Sequence, residues 1–159
     1  MIVVEESIVI GAPPEDVFAF VTDFRHSPEW QDTALEIRKV TDGPVRVGTR
    51  FEGIRKVMGR KMEVAVEFVS YEPSSHARWT LSGGPMSGQV SYHLEPTPGG
   101  TRVTNTIELR RSGFPRLASP LIAAAIRRDV RSAQPRLKEL LESKAGSKSG
   151  PDQDRKGGG

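Results

Sequence analysis

The stretch "IVIGAPPEDVFAFVTDFRHSPEWQD", residues 8–32, changes from a two-residue hydrophobic period to a helical one within a few positions. Upstream of the change, Ile2, Val4, Ile8 and Ile10 share one face of a strand over about residues 2–10, with Glu6 the polar exception on that face. Gly11, Ala12 and Pro13-Pro14 end the strand. The prolines followed by Glu15 and Asp16 start a helix, because proline is tolerated in a first turn and carboxylates favour the positive end of the helix dipole. Val17, Phe18, Phe20, Val21 and Phe24 then recur at spacings of three and four. "SPEWQ" reads as a second short helical turn, with Ser27 as its cap and Pro28 at its first position.

Beyond residue 33 the period returns to two. Leu35 and Ile37 belong to one strand, Phe51 and Val57 to another, and Met62, Val64, Val66 and Phe68 to the clearest apolar face, opposed by Lys61, Glu63 and Glu67. Ala77, Trp79 and Leu81 follow, then Val90, Tyr92 and Leu94, then Val103, Asn105, Ile107 and Leu109. Glycine- and proline-bearing turns separate these runs, among them "DGPVRVG", "SGGP" and "PTPGG". With the first strand this predicts seven strands at hairpin spacing, a mostly antiparallel meander. The chain then turns helical over about residues 115–142, where Ile122, Ile126, Val130, Ala133, Leu137, Leu140 and Leu141 form a stripe. Pro135 falls inside it and is expected to kink or interrupt the helix.

The 159 residues suit one domain with a real core. Residues 143–159, "SKAGSKSGPDQDRKGGG", carry no large apolar side chain; they read as a disordered, basic, Gly/Ser-rich tail beyond a folded unit of residues 1–142. The absence of cysteine removes disulfides, thiolate nucleophiles and Cys-based metal sites, and a cytoplasmic location is the default expectation. No transmembrane segment is expected, since the longest aliphatic run, "LIAAAI", is far too short.

The net charge of +3 is unevenly spread. Residues 1–109 hold 11 Lys/Arg against 15 Asp/Glu, residues 110–142 hold 8 against 3, and residues 143–159 hold 4 against 2. No aromatic residues interleave with Arg127, Arg128 and Arg131, so the basic helix reads as a solvated face and nucleic acid is not an expected partner. The sequence leaves the oligomeric state open.

The order of elements and the segments "IGAPPEDVFAFVTD", "SPEWQD", "VGTRF", "YEP" and "GGTRVT" resemble the START-like helix-grip superfamily, in particular its polyketide cyclase/dehydrase (SRPBCC) group, over about residues 2–142. The resemblance implies an α+β helix-grip fold: a curved seven-stranded antiparallel sheet around a long C-terminal helix, with two short helices between the first and second strands. It also implies binding or transformation of a hydrophobic small molecule, such as a polyketide, lipid, sterol or quinone-like compound, between sheet and helix. Activity of the cyclase, aromatase or dehydratase kind in the same cavity is the alternative, and the fold alone does not decide between them.

Phosphate loops, dinucleotide fingerprints, nucleophile elbows and zinc-binding His pairs are missing; His26, His76 and His93 are not at ligand spacing, and neither a cofactor nor a metal is expected. On the implied fold the cavity-lining candidates are Phe24, Trp30, Phe51, Arg55, Val64, Val66, Trp79, Tyr92, Asn105, Leu121 and Ala125, with Trp30 at the inner end. Glu6 and Tyr92 are the candidate catalytic residues. A carboxyl on an apolar inward face can act as a general base or acid near neutrality, whereas an open strand end would leave Glu6 solvated. Arg55 either points outward or reaches a ligand carboxylate or phenolate with its planar fork, because Ile54 on the opposite face leaves its facing ambiguous. His93 is expected to point outward, and Met86 to be an adaptable apolar contact at the cavity mouth.

Overall fold

The computed structural model describes residues 1–57, 59–83, 86–111 and 118–154. Seven strands, β1 (Ile2–Ile10), β2 (Ala34–Lys39), β3 (Arg50–Val57), β4 (Arg60–Glu72), β5 (His76–Gly83), β6 (Met86–Thr97) and β7 (Gly100–Arg111), form one antiparallel sheet in the order β1-β7-β6-β5-β4-β3-β2. Each strand from β2 to β7 pairs with its neighbour in sequence, and β1 closes against β7 across nearly the whole chain. Three helical pieces complete the fold: α1 (Pro14–Thr22), a 3-10 turn at Phe24–His26 running into α2 (Ser27–Trp30), and α3 (Ser119–Asp154).

Local chemistry explains the corner between β1 and β2. Pro14 opens α1 with Glu15 and Asp16 in its first turn. Asp23 ends that helix and begins the next turn, its Oδ1 accepting the Arg25 N–H at 3.2 Å. Ser27 is not the cap of α2: His26 precedes that helix, and Ser27 lies buried within its first turn. The charged residues of the corner pair along its surface, with Arg25 on Asp23 at 2.6 Å and His26 Nδ1 2.6 Å from Glu29 Oε2.

The sheet curves around its contents. Register shifts at Ala34/Glu36 and at Phe68/Ser70 insert the local bends through which antiparallel strands coil. Gly100 takes a φ of +135° where β6 turns into β7, and a Cβ there would meet the Ile10 carbonyl oxygen at 2.0 Å, so a side chain is excluded on both counts. On the concave side the aromatic rings of α1, the 3-10 turn and the central strands form one cluster. Phe24 joins the turn to the strands, with centroids 4.8 Å from Trp79, 5.0 Å from Phe51 and 5.3 Å from Phe68.

α3 lies across this face. Leu137 and Leu141 join the main core, whereas Ile122 packs in a second cluster with Ile2, Val4 and Leu109. The helix continues through Pro135 without interruption. Pro135 and Arg131 are both exposed, so the carbonyl that loses its intrahelical donor faces solvent. The helical backbone extends to Asp154, beyond Glu142; the helix start expected near residue 115 lies outside the described residues. Polar clasps fix α3 to the rest: Glu142 Oε1 accepts the Gly11 N–H at 2.9 Å, and Arg136 Nε donates to the Glu29 carbonyl oxygen. No helix among the described residues is long and apolar enough to cross a membrane.

Candidate functional site

Between the concave sheet and α3 lies a cavity of about 510 Å³, within the size range of small-molecule sites. All seven strands contribute to its apolar wall, β1 through Ile8 and β2 through Ile37. The alternation that buries Phe68 also turns Val64 and Val66 inward, and Trp79, Leu81, Val90, Val103 and Ile107 extend the surface. Phe24 and Trp30 bound the end near the short helices. Ile126, Val130, Ala133 and Leu137 of α3 close the opposite side, and Met86 also touches the cavity.

Phe24, Trp30, Phe51, Arg55, Val64, Val66, Trp79, Tyr92 and Asn105 therefore come together around one cavity. Leu121 and Ala125 do not. Leu121 is 70% exposed, and both lie roughly a quarter to a third of a turn round the helix from the Ile126–Val130–Ala133–Leu137 stripe. Glu6 pairs in register with Asn105 on the adjacent strand but is not on the cavity wall. Its carboxylate is taken by α3, 2.9 Å from Arg131 Nε and 3.4 Å from Arg127 Nε, and these solvent-bordering pairs contribute at most about 1 kcal/mol. His93 faces outward, 3.1 Å from Glu95. Gly84 and Pro85 of the β5–β6 turn and Met58 lie outside the described residues.

Polar residues also border the cavity, among them Gln31, Asp32, Thr33, Glu52, Lys56 and Asp129, and Arg55, Tyr92 and Asn105 belong to strands of its wall. Tyr92 and Asn105 are direct partners across β6 and β7, hence side by side on the concave face. Asn105 Oδ1 is buried and accepts no hydrogen bond among the described residues. Arg55 comes from β3, where Gly53 separates it from Phe51. Its Nη1 donates to Gln31 Oε1 at 2.8 Å and to Thr33 Oγ1 at 3.0 Å. Gln31 and Thr33 were not anticipated from the sequence: they sit in the connection after α2, where no periodicity marks an inward position. Together they hold the guanidinium against the cavity.

Burial lowers the affinity of Arg55 for its proton, while Tyr92 and Asp129 act in the opposite sense; an arginine stays charged under such shifts. Burial also pushes the Tyr92 phenol from its ordinary 10.0 up to about 12, with Arg55 opposing the rise. Tyr92 is thus a hydrogen-bond donor throughout the neutral range. The unfolded chain ionises this phenol first, so its contribution to stability is complete below pH 10 and is lost as pH rises towards 12. Phenolate absorbance of the wild type minus that of Tyr92→Phe should show a transition near pH 12. A transition near 10 would mean that the hydroxyl is solvated.

Among the described residues no group of three or more His, Asp or Glu side chains is placed to hold a metal ion. The chemistry available is that of a cavity with a largely apolar sheet wall that also carries a fixed cation on β3 and, side by side on β6 and β7, a phenol donor and an amide.

A family model described as polyketide cyclase/dehydrase and lipid transport matches residues 1–142. Among solved structures, a protein from Thermus thermophilus is similar with a TM-score of 0.76 at 21% identity, covering 90% of this chain and 99% of that one. A START superfamily protein from Mycobacterium smegmatis is similar with a TM-score of 0.75 at 12% identity, again over 90% and 99%. A protein of the dynemicin biosynthetic locus matches with a TM-score of 0.64 at 20% identity, covering 91% of this chain and 49% of that one. At these identities the likeness establishes the helix-grip fold. No curated protein matches the chain in sequence.

Proposed function

The chain belongs to the polyketide cyclase/dehydrase and lipid transport family, and from that premise we propose that it binds a small hydrophobic molecule of polyketide, lipid, sterol or quinone-like character in the cavity between sheet and α3. The observation that carries this reading is the cavity itself: about 510 Å³ in a chain of this size, walled mainly by aromatic and aliphatic side chains, with polar and charged residues also on its border. A core built only for stability would fill such a volume, because each unfilled methyl-sized void costs about 1 kcal/mol.

The test is a thermal-shift screen with polyketide, sterol, quinone and fatty-acid ligands. A ligand at a hundred times its Kd stabilises by about 2.7 kcal/mol, which at this chain length raises Tm by roughly 5 to 10 °C. No shift across the panel would overturn the reading.

One observation favours a second reading, a cyclase-, aromatase- or dehydratase-type enzyme. The protonated Tyr92 beside Asn105 is suited to donate a hydrogen bond to a ketone oxygen of a bound chain and so to polarise that carbonyl. With a poly-β-ketone substrate, Tyr92→Phe is then expected to reduce kcat about a hundredfold or more while the protein stays folded. An unchanged kcat would remove the enzymatic assignment of this residue.

A further inference from the structure

The polar side of the cavity carries a charge that the protein does not neutralise by contact. Arg55 forms no ion pair with any described residue. Its hydrogen-bond partners, Gln31 and Thr33, are both neutral. Asp32, Glu52 and Asp129 border the same cavity, and Asp129 acts on Arg55 at a distance, but Asp32 and Asp129 are solvent-exposed, Glu52 pairs with Arg38 at 2.9 Å, and none of the three forms an ion pair with Arg55. A cation enclosed by protein and facing an apolar space is costly to leave without a counter-charge.

The way in which Arg55 is held identifies the missing partner. Among the described residues both of its hydrogen bonds use Nη1 and none uses the Nε–Nη2 edge, a two-donor fork matching the two oxygens of a carboxylate. Gln31 and Thr33 hold the guanidinium and so reduce the entropy lost when that edge is occupied. Tyr92, on the same cavity, offers an O–H donor, whereas the unpartnered Asn105 Oδ1 beside it is an acceptor, suited to an O–H or N–H elsewhere on a ligand and not to its carboxylate. The apolar remainder of the cavity is supplied by Val64, Val66, Trp79 and the α3 stripe.

We propose that the ligand is an amphipathic acid: an apolar body lodged against Trp79 and α3, with a carboxylate bound in bidentate fashion by the Nε–Nη2 edge of Arg55. This rests on the cavity being a hydrophobic binding site, and adds the charge and position of the head group. It predicts discrimination between an acid and its uncharged ester, which a purely apolar pocket would not provide.

The experiment uses two matched pairs of probes, dodecanoic acid with methyl dodecanoate and 2-naphthoic acid with methyl 2-naphthoate. Binding to the full chain is followed by quenching of the protein's own tryptophans, since both Trp30 and Trp79 border the cavity. In the wild type each acid is expected to bind at least tenfold more tightly than its ester. In Arg55→Met the acids should lose that advantage while ester affinity stays within about threefold; in Arg55→Lys, which keeps the charge and loses the fork, the advantage should fall partway. Equal affinity of acids and esters in the wild type would overturn the carboxylate assignment and leave hydrophobic binding standing. A wild-type preference that persists in Arg55→Met would place the anion elsewhere and likewise overturn it. Binding of neither acids nor esters would count against the cavity reading itself. The wild-type comparison decides the proposal even where an Arg55 variant does not fold.

Discussion

Phe68→Ala is expected to lower the stability of the protein by about 3 to 5 kcal/mol, a large part of the roughly 5 to 15 kcal/mol that holds a typical domain together. Phe68 is 1% exposed, and its ring lies 5.3 Å from Phe24, 5.5 Å from Trp79, 5.8 Å from Tyr71 and 6.4 Å from Phe51. It is not on the cavity wall, so truncation opens a dry void behind the wall, among rings already fixed by β3, β4, β5 and the 3-10 turn. Rigid aromatic neighbours on separate strands cannot collapse inward together, which places the cost well above simple transfer of the ring from water. In urea the midpoint should fall at unchanged slope, the signature of lost stability without a change in the surface exposed on unfolding. A loss below about 1.5 kcal/mol would mean that the cluster repacks and that its ring contacts contribute little.

The fold was legible because its two periods are segregated along the chain. The strand faces predicted from alternation at Met62, Val64, Val66 and Phe68 and at Val90, Tyr92 and Leu94 lie on the concave side, and the helical spacing of Val17, Phe20, Val21 and Phe24 marks the corner that packs beneath it. The site was legible wherever the same alternation decided the facing of a residue near the middle of the sheet, as at Tyr92 and Asn105.

It was not legible where facing and position separate. Glu6 and Asn105 share a register pair, yet β1 is the edge strand and α3 runs beside it, so the Glu6 carboxylate meets Arg127 and Arg131 before it can border the cavity. Leu121 and Ala125 sit off the very stripe that the helical period had defined through Ile126, Val130 and Leu137, and the wall follows that stripe. For Arg55 the ambiguity came from Ile54 beside it, and it is resolved by tertiary partners. Gln31 and Thr33 lie in a connection, where hydrogen-bonding capacity is visible in the sequence and direction is not.

Trp79→Ala is expected to damage both stability and binding, which distinguishes it from Phe68→Ala. The indole is 5% exposed and stands between two environments, with Phe24 at 4.8 Å and Phe68 on its core side, and the cavity and Tyr92, at 5.0 Å, on the other. Its removal enlarges a space that already exists and that water can enter, so the stability cost should fall near the lower end of the large-to-alanine range, about 3 kcal/mol. Ligand binding suffers separately. An apolar body packed on the indole loses its broadest contact, and Tyr92 loses the ring that fixes its orientation, so affinity should drop tenfold or more, at least about 1.4 kcal/mol. Trp79→Phe retains the contact with Phe24 and part of the wall and should restore most of the stability and only part of the affinity. Denaturation and ligand titration on the same three variants separate the two roles. If Trp79→Ala loses as much stability as Phe68→Ala with unchanged affinity, the indole belongs to the core alone, and the ligand must lie nearer α3 than the sheet.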